Sequence, residues 1–338
     1  KLARFLGQQL VKRSPLNLRP ILGVQPGENP VTLGLALQAY SYLLRASAIQ
    51  AEEGQKRINY LLDRLEATIP GGFSGACWGY DFDWEARRAN IPGYQPTVVA
   101  TGIIVHALNE ARHVSEDPRL KHWIISAAQF VVKDLNRTEN KEGDFIFSYS
   151  PFDKQRVFNA SLKGSRILAY AFELSGNEEL LDPLEKSVAY VVKAQNQDGS
   201  WGYSEAKEGS WVDNYHTGYV LDCLSACAKQ INNPAWTMAI EKGLQYYLER
   251  FVKGCGCPPF YNNEAFPLDC TAGAQQILSL CHFNRYKEAA KTGEYLIEHM
   301  QLETGGFAFR KFKNYSQKWE FMRWSNAWMF AALAYILK

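Results

Sequence analysis

"TGYVLDCLSACA", residues 217–228, is apolar or small on nearly every side, whereas "LKHWIISAAQFVVKDL", residues 120–135, sets apolar residues at three-to-four spacing against Lys, Asp and Gln. Both stretches read as helices. A helix that is apolar all round must be buried on most sides, and one with a single apolar stripe covers it from outside. The contrast predicts an inner and an outer layer.

The same contrast recurs along the chain. Inner-type segments fall at about 31–46, 97–112, 159–174, 214–229, 269–283 and 324–337, each with a small residue near its start: Gly34, Gly102, Gly164, Gly218, Gly273 and Ala327. From Gly164 onwards these recur about every 55 residues, the spacing of a structural repeat. Amphipathic segments with charged faces lie between them, at about 2–13, 54–67, 118–135, 179–195, 235–251 and 285–300. Six inner and six outer helices in strict alternation predict an all-α fold, an (α/α)6 barrel or toroid, with residues 1–338 as a single domain. No run of alternating β-branched residues offers a sheet. The small residues would let neighbouring inner helices approach closely around the ring.

The connections obey the repeat as well. Those from outer to inner helix are long and aromatic, as in "PGGFSGACWGYDFDWEARRANIPGYQP" (70–96) and "QDGSWGYSEAKEGSWVD" (197–213), and those from inner to outer helix are short. All the long loops must then emerge over the N-termini of the inner helices. Loops of this length are usually functional or disordered, and loops this aromatic are poor candidates for disorder. Trp78, Trp84, Trp201, Trp211, Trp319 and Trp324 all sit in them or at their helix junctions.

Aligned on the small residues, the starts of the inner helices ring the mouth with Asn29, Thr97, Asn159, Asp213, Asp269 and Arg323. Plain N-capping accounts for several of these residues. It leaves the neighbours unexplained. "WVDNYHTG" places Asn214, Tyr215 and His216 in the first turn of a buried helix, beside Trp211 and Asp213. "MRWSN" puts Arg323 where the helix dipole disfavours a cation, beside Trp324. An anionic ligand would answer that charge, as would a carboxylate of the protein. His216 is either a packed, hydrogen-bonded residue or a proton-transfer group.

"CWGYDFDWEARR" (77–88) follows Trp78 with Tyr80, Phe82 and Trp84 alternating with Asp81, Asp83, Glu85, Arg87 and Arg88. Flat rings that stack on pyranose faces, with carboxylates and guanidinium on hydroxyls or a uronate carboxylate, have the composition of a sugar site. A solvated loop with internal ion pairs is the alternative. Asn159, Arg156, Trp201, Trp211, Asn214, Asp269 and Trp324, all placed at the same end, complete the expected substrate-binding set.

Composition narrows the function classes. With 37 basic and 35 acidic residues interspersed, no basic stripe argues for nucleic acid. No apolar run approaches a membrane span, and the first residues lack a signal-peptide core. Seven cysteines without framework spacing favour reduced thiols and a cytoplasmic setting. Cys255 and Cys257, with Cys77 and Cys270, are the candidates for zinc. Cys281 and His282 fall at the far end of their helix, about 15 Å away by helical rise, and the expectation is neither metal nor cofactor. Phosphate-binding, dinucleotide, G-x-S-x-G and H-E-x-x-H motifs do not occur.

"AQNQDGSWGY" (194–203) resembles the Q-x-x-D-G-x-W repeat of terpenoid cyclases and prenyltransferases, with echoes at Gly72, Gly143 and Gly306. That resemblance implies a toroid; the cyclase acids D-x-D-D and D-D-x-x-D do not occur. "CWGYDFDW", "PTVVATG" and "WVDNYHTG" together resemble uncharacterised helical proteins encoded with bacterial surface-polysaccharide biosynthesis genes. This second resemblance implies an oligo- or polysaccharide substrate and names no reaction. Toroids of this kind also serve polysaccharide lyases, uronyl epimerases, sugar 2-epimerases and inverting glycosidases.

The leading expectation is an enzyme acting on an acidic glycan by proton abstraction, as a uronyl C5-epimerase or lyase. Arg323, Arg87 or Arg156 would hold the uronate carboxylate, and His216, Tyr215 and Tyr80, with Asp213 behind them, would move protons. An inverting glycosidase built on two of Asp83, Asp213 and Asp269 is the alternative. A non-catalytic glycan-binding or assembly protein is the third reading.

Overall fold

The computed structural model describes residues 6, 7, 9–11, 14, 16, 18–85 and 90–338. Its inner layer comprises α1 (Pro30–Arg45), α3 (Val98–Ala111), α5 (Phe158–Ser175), α7 (Asn214–Ala228), α9 (Cys270–His282) and α11 (Ala327–Leu337). Its outer layer comprises α2 (Ala51–Glu66), α4 (Pro118–Asp134), α6 (Leu181–Lys193), α8 (Pro234–Phe251) and α10 (Tyr286–Met300). The outer helix expected over 2–13 falls largely on residues outside those described.

Burial follows composition. In α5 every residue from Phe158 to Ala171 is buried, whereas α2 buries only the stripe Gly54, Ile58, Leu61, Leu62 and Leu65. Each inner helix packs against the next, and α11 packs against α1. The ring therefore closes, as the alternation predicts, into an all-α toroid. Among the described residues no helix is long and apolar enough to cross a membrane.

Close approach explains some of the small residues. A Cβ on Gly34 of α1 would stand 2.9 Å from Cγ1 of Ile104 on α3, and one on Gly102 of α3 would stand 2.7 Å from Cβ of Lys163 on α5. Gly164 departs from the expectation. Its added Cβ would meet nothing nearer than 3.4 Å, an ordinary contact.

Side-chain caps fix most of the inner N-termini at the mouth. Asn29 accepts from the Val31 amide at 3.1 Å, Thr97 from Ala100 at 3.1 Å, Asp213 from His216 at 2.8 Å and Asp269 from Ala272 at 3.1 Å. These contacts satisfy amide donors that the first helical turn leaves open. α5 begins otherwise: Val157 stands at its N-cap with no side-chain cap, and Asn159 lies one residue inside the helix.

The Q-x-x-D-G-x-W stretch closes an outer-to-inner turn. Nε2 of Gln195 donates to the Gly199 and Ala239 carbonyls, both at 2.9 Å, and Oδ1 of Asp198 accepts from the Ser200 amide at 3.0 Å. Gly199 has φ +94°, and a Cβ there would fall 2.5 Å from the Lys242 carbonyl oxygen. Only glycine fits that turn without strain. The Trp201 indole donates to the Val191 carbonyl at 2.9 Å, in the last turn of α6, and Trp78 donates likewise to Leu65 of α2 at 3.0 Å. Positive φ at Gly72, Gly143, Gly256 and Gly305 marks further turns of this kind. The sixth-loop echo thus turns at Gly305, one residue before the expected Gly306.

The long loops carry short ribbons that the sequence did not announce. β1 (Trp84–Glu85) pairs with β2 (Asn90–Ile91), and β3 (Arg137–Glu139) with β4 (Phe145–Phe147). β5 (Leu268–Asp269), β6 (Arg310–Lys311) and β7 (Ser316–Gln317) form a three-stranded sheet whose register sets Asp269 opposite Arg310. A π-turn over Met322–Asn326 precedes α11, so that Arg323 and Trp324 leave the regular helix at its mouth end.

Candidate active site

Three contiguous cavities open at the mouth. The central one, about 420 Å³, is walled by Tyr80, Phe82, Trp84, Tyr149, Asn159, Tyr203, Trp211, Tyr215, His216, Tyr219, Arg323 and Trp324. A proximal cavity of about 230 Å³ shares Tyr215, His216 and Trp324 with it and adds Asp269 and Arg310. A distal cavity of about 610 Å³ shares Trp84, Tyr203 and Trp211 and adds Lys154 and Arg156.

His216 is held by its own helix cap. Asp213, almost fully buried, accepts the His216 amide at 2.8 Å through Oδ1, while its Oδ2 lies 2.7 Å from His216 Nδ1 and accepts the Trp211 indole N–H at 3.0 Å. Burial alone would push the Asp213 carboxyl up; the His216 ring, the His216 amide and the Trp211 indole outweigh it and hold the group below its ordinary value. An ionised Asp213 accepts a proton-bearing Nδ1, which leaves the Nε2 lone pair of a neutral ring for the cavities that His216 lines.

Tyr215 sits beside His216, with ring centroids 4.9 Å apart. Its hydroxyl accepts from Tyr219 at 2.9 Å, so its own proton is free for a ligand. Burial raises the pKa of this phenol despite the Tyr219 hydrogen bond, and it raises those of Tyr149 and Tyr219 too. Tyr203 is pushed up by burial to about 12. At neutral pH these hydroxyls are donors.

Arg323 has an aromatic cradle in place of a counter-ion. Its guanidinium carbon lies 4.3 Å from the Trp324 ring centroid, 4.8 Å from that of Tyr80 and 5.1 Å from that of Phe82, and among the described residues no carboxylate pairs with it. Cation–π contact holds the group while leaving its charge uncompensated. Asn159 also lines this cavity, with a buried Oδ1 that has no hydrogen-bond partner within the protein and so is open to a donor from water or a ligand.

Several residues expected against the substrate lie elsewhere. Trp78 and Trp201 are buried in the wall, where their indoles tie the outer helices to the loops. Asn214 is buried and fully engaged: Nδ2 donates to Pro259 O at 3.0 Å and Gln276 Oε1 at 2.8 Å, and Oδ1 accepts from Tyr247 at 2.6 Å. Asp81 accepts from Asn29 Nδ2, and exposed Asp83 accepts from the Gly93 amide at 2.8 Å; both brace their loop. Arg87 lies outside the described residues. Arg156 pairs with Glu205 at 2.7 Å on the wall of the distal cavity, and Asp269 binds Arg310 at the proximal end.

The structure also brings in residues the sequence reading passed over. Tyr219 stands one turn after Tyr215, a spacing that puts both on one helix face. Tyr149, Tyr203 and Arg310 carry no comparable local signal. Arg310 reaches the site through strand pairing with Asp269, forty-one residues earlier.

Below the central cavity lies a smaller one of about 40 Å³, walled by all six inner helices and including Lys163, Arg166 and Asp222. Lys163 Nζ stands 3.2 Å from the Tyr219 ring centroid. Burial pushes this amine down to about 7 and Asp222 up to about 6. The charged layer under the floor therefore touches the central cavity through one tyrosine.

No family model matches the chain, and no curated protein matches it in sequence. Solved structures share its architecture. Cellobiose 2-epimerase from Bacillus thermoamylovorans B4167 superposes with TM-score 0.65 at 12% identity, over 91% of this chain and 87% of that one. A family 76 glycoside hydrolase from a bovine Bacteroides thetaiotaomicron strain gives 0.67 at 12% identity, over 91% and 69%. The ent-copalyl diphosphate synthase from Streptomyces platensis gives 0.53 at 15% identity, over 89% of this chain and 50% of that one. At such identities the likeness is one of fold: the chain is built as these (α/α) toroids are.

Proposed function

We propose that the protein is a carbohydrate-active enzyme that abstracts a proton beside the carboxylate of an acidic glycan, as a lyase or a uronyl C5-epimerase. The observation that carries this reading is the make-up of the central cavity: a histidine, tyrosines, an asparagine and an uncompensated arginine, with no carboxylate among its described wall residues. Two carboxylates flanking one bond, as an inverting glycosidase requires, are not what these walls offer. Asp83 braces a loop, Asp213 is bound to His216, and Asp269 to Arg310.

In the proposed step Arg323 takes the uronate carboxylate and stabilises the charge that develops on it, and Asn159 Oδ1 accepts from a sugar hydroxyl. His216 Nε2 removes the C5 proton, and Asp213 steadies the imidazolium that forms. Tyr215 then donates its proton. For elimination the proton goes to O4, the C4–O4 bond breaks and a C4=C5 double bond forms; for epimerisation a proton returns to C5 from the opposite face. Tyr219, hydrogen-bonded to the Tyr215 oxygen, stabilises the phenolate left behind. Stacked aromatic pairs around the cavity suit pyranose faces, and two of the similar folds bear sugar-enzyme names. Work on a surface polysaccharide or its precursor is the setting that the loop motifs suggest.

Product analysis on uronate-containing oligosaccharides tests this. Elimination gives a new far-ultraviolet absorbance, and epimerisation changes the C5 stereochemistry with no change in chain length. New saturated reducing ends would favour the glycosidase, and the absence of any product would favour the binding protein.

A further inference from the structure

Three pairs of parallel aromatic rings surround the mouth, and in each a deeper ring backs an exposed one. Tyr80 backs Phe82 at 5.4 Å and 13°, Tyr203 backs Trp211 at 4.8 Å and 11°, and Phe309 backs Trp324 at 5.6 Å and 14°. The outer members are 41%, 42% and 39% exposed. The Arg323 guanidinium lies over Phe82 and Trp324, whereas among the described residues no cation lies over Trp211, and a large aromatic face held flat in water is a surface built to be covered. Their placement is as telling as their exposure, since Trp324 stands where the proximal and central cavities meet and Trp211 where the central and distal cavities meet.

We infer that the mouth is a groove for an extended acidic glycan chain, with a sugar ring in each of the proximal, central and distal cavities and reaction at an interior unit of the chain. This rests on the reading given under Proposed function and adds the length and direction of the substrate. His216 lines the proximal and central cavities, so the reacting ring sits centrally and the susceptible bond crosses towards Arg310. The distal cavity lies on the other side of that ring, beyond Trp211. A substrate that ended in the central cavity would leave the Trp211 platform and Lys154 of the distal cavity uncovered; Arg156 there is already paired with Glu205, and Glu208 also lines the wall. A lyase of this geometry cuts inside the chain and releases mid-sized fragments first.

The test is calorimetric titration with oligogalacturonates and hyaluronan oligosaccharides of two, four and six rings. For the series that binds, affinity should rise at least tenfold between two and four rings. Trp211→Phe, which keeps a flat ring, should retain that gain, and Trp211→Ala should lose it. Ala206→Trp, which fills the distal cavity alone, should abolish the gain and leave the two-ring affinity within about twofold. Equal affinity at all lengths, or a length gain that survives Ala206→Trp, would overturn the groove while leaving the acidic-glycan reading in place. Binding of no member of either series would instead overturn that reading and the groove with it.

Discussion

Asp213 grips His216 with both carboxylate oxygens, one on the backbone amide at 2.8 Å and one on the ring Nδ1 at 2.7 Å. One residue thus caps a helix and sets the tautomer of the histidine that the cap delivers to the cavity. The two roles separate on mutation. Asp213→Asn retains a good cap but presents an amide that no longer favours a protonated Nδ1. Activity should fall by about 10²–10⁴-fold, the usual weight of a positioned base, while the melting temperature falls modestly at neutral pH, by the share that the ionised carboxylate contributes. Asp213→Ala should lose activity and about 1 kcal/mol of stability together.

The same residue fixes a pH dependence. The folded Asp213 carboxyl is held below its ordinary value, because the His216 and Trp211 contacts outweigh the opposing effect of burial. Its contribution is therefore present above the unfolded pKa of about 4 and lost as pH falls through the lower folded value. Acid unfolding of Asp213→Asn, followed by circular dichroism, should lack that share of the wild-type loss.

Lys163 makes the opposite prediction. Burial depresses its amine to about 7, whereas the unfolded chain titrates near 10.4, about that of a free lysine. Below pH 7 the folded state carries the whole cost of a buried ammonium. As pH rises through 7 towards the unfolded value, the unfolded chain holds the extra proton and stability increases. The difference between wild type and Lys163→Met should shrink across that window, with Met the more stable at neutral pH by a few kcal/mol at most. Parallel curves would place Lys163 in a wetter site.

The tryptophans should divide by role. Trp78 and Trp201 are buried and hydrogen-bonded to helix ends, so Ala at either costs about 3–5 kcal/mol. Trp324 is exposed at the mouth, and Ala there should cost about 1 kcal/mol or less while weakening sugar binding. Thermal unfolding and ligand titration on the variants separate the two classes.

Arg323 is held by ring faces, which recognise its plane as well as its charge. Arg323→Lys should accordingly recover little. Both Arg323→Lys and Arg323→Ala should lose about 10²-fold or more in kcat/KM, the scale of one transition-state charge contact. Full activity in the lysine variant would reduce the group to a general positive field.

How far the sequence carries this account depends on the range of each contact. Helix boundaries came out within a few residues because inner and outer segments differ in composition over whole turns, as α5 and α2 show. Asp213, Tyr215 and His216 were legible because capping is local. Trp78 and Trp201 looked like ligands because tryptophan marks core and site alike, and only packing tells them apart. Asn159 is expected either to cap a helix or to bind substrate; the N-cap falls two residues earlier, at Val157, and Asn159 lines the central cavity. Arg310 depends on a ribbon formed between distant loops, and no periodicity announces such pairing.

The role proposed for His216 is to remove a proton from carbon. It is tested most directly by incubating the enzyme with uronate oligosaccharides in D2O and following the C5 position by NMR, alongside His216→Ala and Tyr215→Phe. Wild type should give deuterium at C5, or a C4=C5 double bond, and His216→Ala should give neither. Reducing ends released without deuterium incorporation or a double bond, or exchange that persists in His216→Ala, would contradict it.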